Sequence, residues 1–132
     1  AEYYMTKAQR LYGLWMENSC NHELVKKCEE AYYKALEFEP QNCDCFYNLA
    51  ITSYNKGLMQ MKAETSDERC ETEVNVTECF EKSLQLLMNA ETHCPSRTDV
   101  CQALINVNKA LDRPDVAAGY SRLLEELKQS KN

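Results

Sequence analysis

The stretch that decides the fold is Cys28-Glu-Glu-Ala-Tyr32-Tyr-Lys-Ala35-Leu36-Glu-Phe-Glu-Pro40, read beside Ser83-Leu-Gln-Leu-Leu87-Met-Asn-Ala90-Glu-Thr-His-Cys-Pro95. Both run small residue, large residue, Ala, Pro, at offsets of four, three and five. Residues four and three apart share one face of an α-helix, so each stretch carries a stripe shaped to receive a neighbouring helix. The small side chains in that stripe let the two backbones approach closely. Proline then stops the helix, because it lacks an N–H and pushes the preceding residue out of helical geometry. The same pattern met twice is an internal repeat.

Working outward, a new helix is expected after each proline. Asp44-Cys-Phe46-Tyr-Asn-Leu49-Ala50 follows the first, and Asp99-Val-Cys101-Gln-Ala-Leu104-Ile105 follows the second. Each places a carboxylate near the positive end of its helix dipole. Arg113-Pro114 opens a last helix with proline in the favoured first turn, and its end from Leu123 to Asn132 becomes charged, as a capping helix should. Three glycines and three prolines in 132 residues are too few for an all-β chain, which needs a turn about every 8–12 residues. With 44% hydrophobic and 27% charged residues the chain is too apolar for disorder, and no apolar run reaches the roughly 18 residues that cross a bilayer. The expectation is an all-α single domain over residues 1–132, without membrane insertion.

These residues resemble the tetratricopeptide repeat, a helix-turn-helix unit of about 34 residues whose pattern runs W-x-x-L-G-x-x-Y, then A-x-x-x-F-x-x-A, then P. Phe46, Leu49 and Ala50 stand at the first three positions of the second helix A, Ser53 or Tyr54 at the fourth, and Gly57 at the turn glycine. Ser83, Leu87, Ala90 and Pro95 are their helix-B partners, as Cys28, Tyr32, Ala35 and Pro40 are for the first repeat. The first helix A, within Met5 to Met16, matches loosely through Tyr12-Gly13. The resemblance implies an α-solenoid of about three helix pairs: 5–40, 43–95 and 98–129. Twenty-five residues separate Gly57 from Ser83, so the middle repeat carries an insertion at about 58–77. Leu58, Met59 and Met61 extend helix A until the polar stretch from Glu64 to Glu73 breaks it. An elongated penultimate repeat of this kind is similar to those of tetratricopeptide proteins in Bacteroidetes.

Eight cysteines exceed ordinary cytosolic usage yet stay below the roughly 8–10% of a disulfide scaffold. Cys28, Cys79 and Cys101 read as small buried hydrophobes on apolar helix faces. Cys43, Cys45, Cys70 and Cys94 lie beside turns or the insertion, with Cys20 near the first loop, where bridging is open. A cytoplasmic location is favoured over a periplasmic or secreted one. Cys43-Asp-Cys45 is C-x-C, and His93-Cys94 stands alone, so neither has zinc-site spacing and no metal is expected. Asn75-Val76-Thr77 has the form of a glycosylation sequon, a triplet also met by chance.

With 21 acidic against 15 basic residues and no basic block longer than Lys26-Lys27, nucleic acid is not an expected partner. Gly13, Gly57 and Gly119 are isolated, so no phosphate-cradling loop exists, and neither His22 nor His93 has a nucleophile and orienting acid beside it. No cofactor and no catalytic residue is expected. Binding has more support. In a stack of helix pairs the helices A line an inner groove. Tyr47, Asn48, Ile51, Tyr54 and Asn55 on the second, with Gln102 and Asn106 on the third, form its candidate surface for a peptide or protein ligand. Tyrosine gives rigid apolar area with a hydrogen-bonding tip. Some family members grip a C-terminal carboxylate of heat-shock chaperones through paired Lys and Asn residues. Asn48 matches one of these, but Leu11 and the pair Gln102 and Asn106 replace others, which leaves a carboxylate without its ion partner. The groove is expected to be neutral to acidic and to suit a basic or amide-bearing segment. A second role is the alternative: a structural capping or oligomerisation segment of a longer solenoid, assembling through the Tyr3-Tyr4 end.

Overall fold

Among the described residues six helices follow one another: α1 Glu2–Glu17, α2 His22–Phe38, α3 Cys43–Glu64, α4 Val76–His93, α5 Thr98–Ala110 and α6 Pro114–Ser130. The computed structural model describes residues 1–64 and 74–130, and among these there is no strand. The fold is all-α. No helix among the described residues is long and apolar enough to cross a membrane. The helices form three antiparallel hairpins, α1 with α2, α3 with α4 and α5 with α6, and each hairpin leans on the next through α2 against α3 and α4 against α5.

Local chemistry places the boundaries. Asn21, Asn42 and Asn75 each precede a helix, and each side-chain Oδ1 accepts a backbone N–H of the first turn, from Leu24 at 3.3 Å, Cys45 at 3.0 Å and Glu78 at 2.9 Å. Helices α2 and α4 end alike. Glu39 (φ −131°, ψ 82°) precedes Pro40, and Cys94 (φ −137°, ψ 74°) precedes Pro95. Proline forces both residues out of the helical region, which is why the two ends superpose in backbone angle. Helix α6 starts on Pro114, as its sequence requires.

The repeated stripes are the core. Cys28, Tyr32 and Ala35 are buried on α2, and Ser83, Leu87 and Ala90 on α4. At the crossing of α1 and α2 the Cys28 thiol donates to the Ala8 carbonyl at 3.3 Å. Where α3 crosses α4, the Ser83 hydroxyl donates to the Ala50 carbonyl at 2.8 Å. Aromatic contacts recur with the same spacing: Tyr4 stacks on Phe38 (5.7 Å between centroids, 15° between planes) and Phe46 on His93 (5.8 Å, 16°). Tyr4 and Phe46 lie four residues before Ala8 and Ala50, while Phe38 and His93 lie two before their prolines. The first two hairpins therefore share geometry as well as sequence pattern. In the third hairpin Cys101, Ile105, Ala117 and Leu124 form a smaller cluster.

The first helix A, expected within Met5–Met16, is α1, which contains that span and crosses α2 at Ala8. Helix α3 continues through Leu58, Met59 and Met61 to Glu64, as expected, and α4 starts at Val76, just inside the end of the stretch assigned to an insertion at 58–77. Most of the polar stretch from Glu64 to Glu73, with Cys70, lies outside the described residues. Of the five cysteines read as open to bridging, Cys45 is fully buried as a free thiol, donating to the Tyr32 carbonyl at 3.1 Å, whereas Cys43 and Cys94 form a disulfide. That disulfide joins the start of α3 to the residue after α4, with Cα atoms 6.2 Å apart. Cys20 is also disulfide-bonded.

Candidate functional site

Helix α3 carries most of the candidate surface, and its packing decides which residues are free to use. Leu49, Ala50 and Ser53 point into the α3–α4 hairpin and are buried; Ser53 donates to the Cys79 carbonyl at 2.9 Å. Gly57 meets Phe80 so closely that a Cβ there would fall 2.7 Å from the ring. With that face committed, the residues about a third of a turn away face α1.

Tyr47, Asn48 and Ile51 line a shallow groove of about 230 Å³ together with Gln9, Tyr12, Tyr32 and Thr52. Its floor is the buried Tyr32, and its walls are α1 and α3. No carboxylate, histidine, lysine or arginine lines it. Burial raises the Tyr47 hydroxyl above the usual tyrosine range, with Asp99 adding to the rise and Arg97 opposing it. The phenol is therefore a neutral donor and acceptor throughout the physiological range.

Asn55 sits at the groove's end, where its Nδ2 donates to the Tyr12 hydroxyl and so ties α3 to α1. Tyr54 turns away and packs against Phe80 of α4, 5.5 Å between centroids. Gln102 and Asn106 are exposed on α5 and hydrogen-bonded to each other at 3.1 Å, outside the groove lining. The structure thus brings three of the seven candidates into one groove, puts Asn55 at its edge and leaves Tyr54, Gln102 and Asn106 apart.

Between the groove and α5 stands a charged bridge. Arg97 binds Asp99 with two guanidinium nitrogens, at 3.0 and 2.6 Å, and reaches Asp44 at the start of α3 at 2.8 Å. Its guanidinium also lies over the Tyr47 ring, 5.8 Å from the centroid. The fork geometry of arginine suits this double engagement. The arrangement holds the Arg97 guanidinium against Tyr47.

Sequence reasoning missed Gln9, Tyr12 and Thr52. The signal was present in the repeat: Gln9 and Tyr12 follow Ala8 by one and four residues, as Ile51 and Tyr54 follow Ala50.

The thiols offer little chemistry. Burial pushes Cys28 and Cys45 up to about 12 and raises Cys79 and Cys101. A thiol in that range is not a thiolate near neutral pH. Among the described residues no three His, Cys, Asp or Glu side chains gather in a way that could hold a metal ion. No protein-family model matches this chain, and no curated protein matches it.

Proposed function

We propose that the chain is a tetratricopeptide-like α-solenoid acting as a non-catalytic protein–protein interaction module, which holds a peptide or protein segment in the groove along its helices A. The observation that supports this reading is the convergence of Tyr12, Tyr47, Asn48 and Ile51 on one uncharged groove whose floor is another tyrosine. Aromatic walls supply contact area at small entropic cost, and an amide between them supplies orientation. A fully uncharged lining favours a segment that presents amide or hydroxyl groups and apolar side chains at this point, and it disfavours a bare carboxylate.

The experiment is selection from a displayed peptide library against the folded chain, followed by hydrogen exchange of the complex. Selected peptides are expected to slow exchange across 44–52 and to lose at least tenfold in affinity when Asn48→Ala and Ile51→Asp are combined. Protection confined to another surface, with affinity unchanged in that variant, overturns the groove assignment.

A second reading, self-association, is favoured by a different observation. Tyr3 is 70% exposed and Phe38 62% exposed, with Tyr4 packed against both, so an aromatic patch stands open at the first hairpin. Sedimentation at rising concentration checks it: dimers that vanish in Tyr3→Glu with Phe38→Glu support it, and a monomer throughout rejects it.

A further inference from the structure

The triplet Asn75-Val76-Thr77 is common by chance as a sequence, and two structural facts raise it above that. The first is its setting. Asn75 is exposed, with extended backbone (φ −81°, ψ 113°), immediately before α4, and Thr77 is exposed two residues on. The Asn75 side chain caps α4 through Oδ1, which accepts the Glu78 N–H at 2.9 Å. That bond engages the oxygen and not Nδ2, the atom to which an N-linked sugar is attached. The second fact is the oxidation state of the chain. Cys43 and Cys94 are joined, and Cys20 is disulfide-bonded as well. Disulfides form and persist in oxidising compartments, the secretory lumen and the periplasm among them. N-linked glycosylation of this triplet takes place in a secretory lumen. The secretory lumen is the compartment that accommodates both the sequon and the bridges.

We propose that Asn75 carries an N-linked oligosaccharide added in the secretory pathway. Asn75 Nδ2 forms a bond to C1 of the first sugar of a lipid-diphosphate-linked oligosaccharide, and the C1–O bond to the diphosphate breaks. The lipid diphosphate leaves with the electron pair, and the Nδ2 proton passes to a base of the transferase. Nothing is oxidised or reduced. Oδ1 keeps its lone pairs, so the cap on α4 survives the modification.

The position also keeps the sugar clear of the groove. Val74 donates its N–H to Gln60 Oε1 at 3.3 Å, which places the start of α4 beside the far part of α3. Asn48 and Gln60 are twelve residues apart on that helix, roughly 18 Å at 1.5 Å per residue.

The test passes the chain through a eukaryotic secretory pathway and reads intact mass before and after peptide-N-glycosidase. Wild type is expected to carry a hexosamine-containing mass that the enzyme removes, leaving an aspartate at position 75. Asn75→Asp, which retains the capping oxygen, and Thr77→Ala are both expected to lack that mass, and Thr77→Ser to retain it. Thermal unfolding of Asn75→Asp at the wild-type midpoint shows that the missing mass is not a folding defect. Disulfide-bonded wild-type chain with Asn75 unmodified overturns the proposal, as does a sugar that persists in Thr77→Ala.

Discussion

The Ser83 hydroxyl donates to the Ala50 carbonyl at 2.8 Å where α4 crosses α3, both residues being fully buried. Cys28 makes the corresponding bond to Ala8 at 3.3 Å between α2 and α1. At each crossing, a small side chain with one donor lets the helices approach and gives its buried polar atom a partner without displacing the carbonyl from its own helix.

This equivalence makes Ser83 a test of the repeat. Ser83→Ala is expected to destabilise by about 1 kcal/mol, the net worth of a typical buried hydrogen bond. Ser83→Cys installs the group that the first hairpin already uses and is expected to cost less than Ser83→Ala. Urea unfolding of the two variants measures the order; a Cys variant less stable than the Ala variant would show that the two crossings are not interchangeable.

Gly57 and Gly13 both lie inside helices, yet opposite outcomes are expected when each becomes Ala. Alanine gains about 1 kcal/mol over glycine in helix propensity. At Gly13 nothing stands within 4 Å of the added carbon, so that gain is realised, at about 0.5–1 kcal/mol. At Gly57 the carbon would sit 2.7 Å from Phe80, whose ring is 2% exposed and held by Tyr54. Overpacking costs of about 1–3 kcal/mol outweigh the propensity gain there. Thermal melts of the two variants should move in opposite directions.

How much of this was legible in the sequence follows from what each residue answers to. The stripes at Cys28, Tyr32 and Ala35 and at Ser83, Leu87 and Ala90 were readable because burial on a helix imposes a period, and Pro40 and Pro95 because proline acts on its immediate neighbour. The crossing point of the first helix A was not readable, because Ala8 is an ordinary alanine until its carbonyl is seen to receive Cys28. The separation of Cys43 from Cys45 was not legible either. Two residues apart on a helix, they point about 200° from each other, so one meets Cys94 and the other the buried Tyr32 carbonyl. The candidate site was half legible: the α3 face followed from periodicity, whereas the α1 wall required the packing of two helices that are distant in sequence.

The cysteines should divide cleanly under alkylation. Cys28, Cys45, Cys79 and Cys101 are buried free thiols, and burial holds Cys28 and Cys45 up at about 12. Without reductant at pH 8 these four are expected to resist iodoacetamide in the native chain and to react in denaturant, which mass spectrometry counts directly. Cys43→Ser with Cys94→Ser removes a bridge of sequence separation 51 and is expected to cost about 2–4 kcal/mol, read as a lower urea midpoint. Rapid labelling of any of the four in native buffer would contradict the packing described for that helix.

Acid should loosen the Arg97–Asp99 pair at the start of α5 in a definite direction. The Arg97 guanidinium bonded to Asp99 holds that carboxyl below the usual range, with the Val100 N–H assisting and desolvation opposing. A carboxyl depressed in the folded state contributes stability that is fully present above its unfolded value, about 4, and is lost as pH falls through the lower folded value. Asp99 is 41% and Arg97 29% exposed, so solvent screening keeps the contribution below about 1 kcal/mol. Asp99→Asn is therefore expected to lower stability slightly at pH 7 and hardly at all near pH 2. Because Arg97 also lies over the Tyr47 ring, the same variant is expected to alter the fluorescence of Tyr47 at neutral pH. Chemical unfolding of both chains from pH 2 to 7 gives the comparison: a stability gap that widens as pH falls would mean that Asp99 is not held ionised by Arg97.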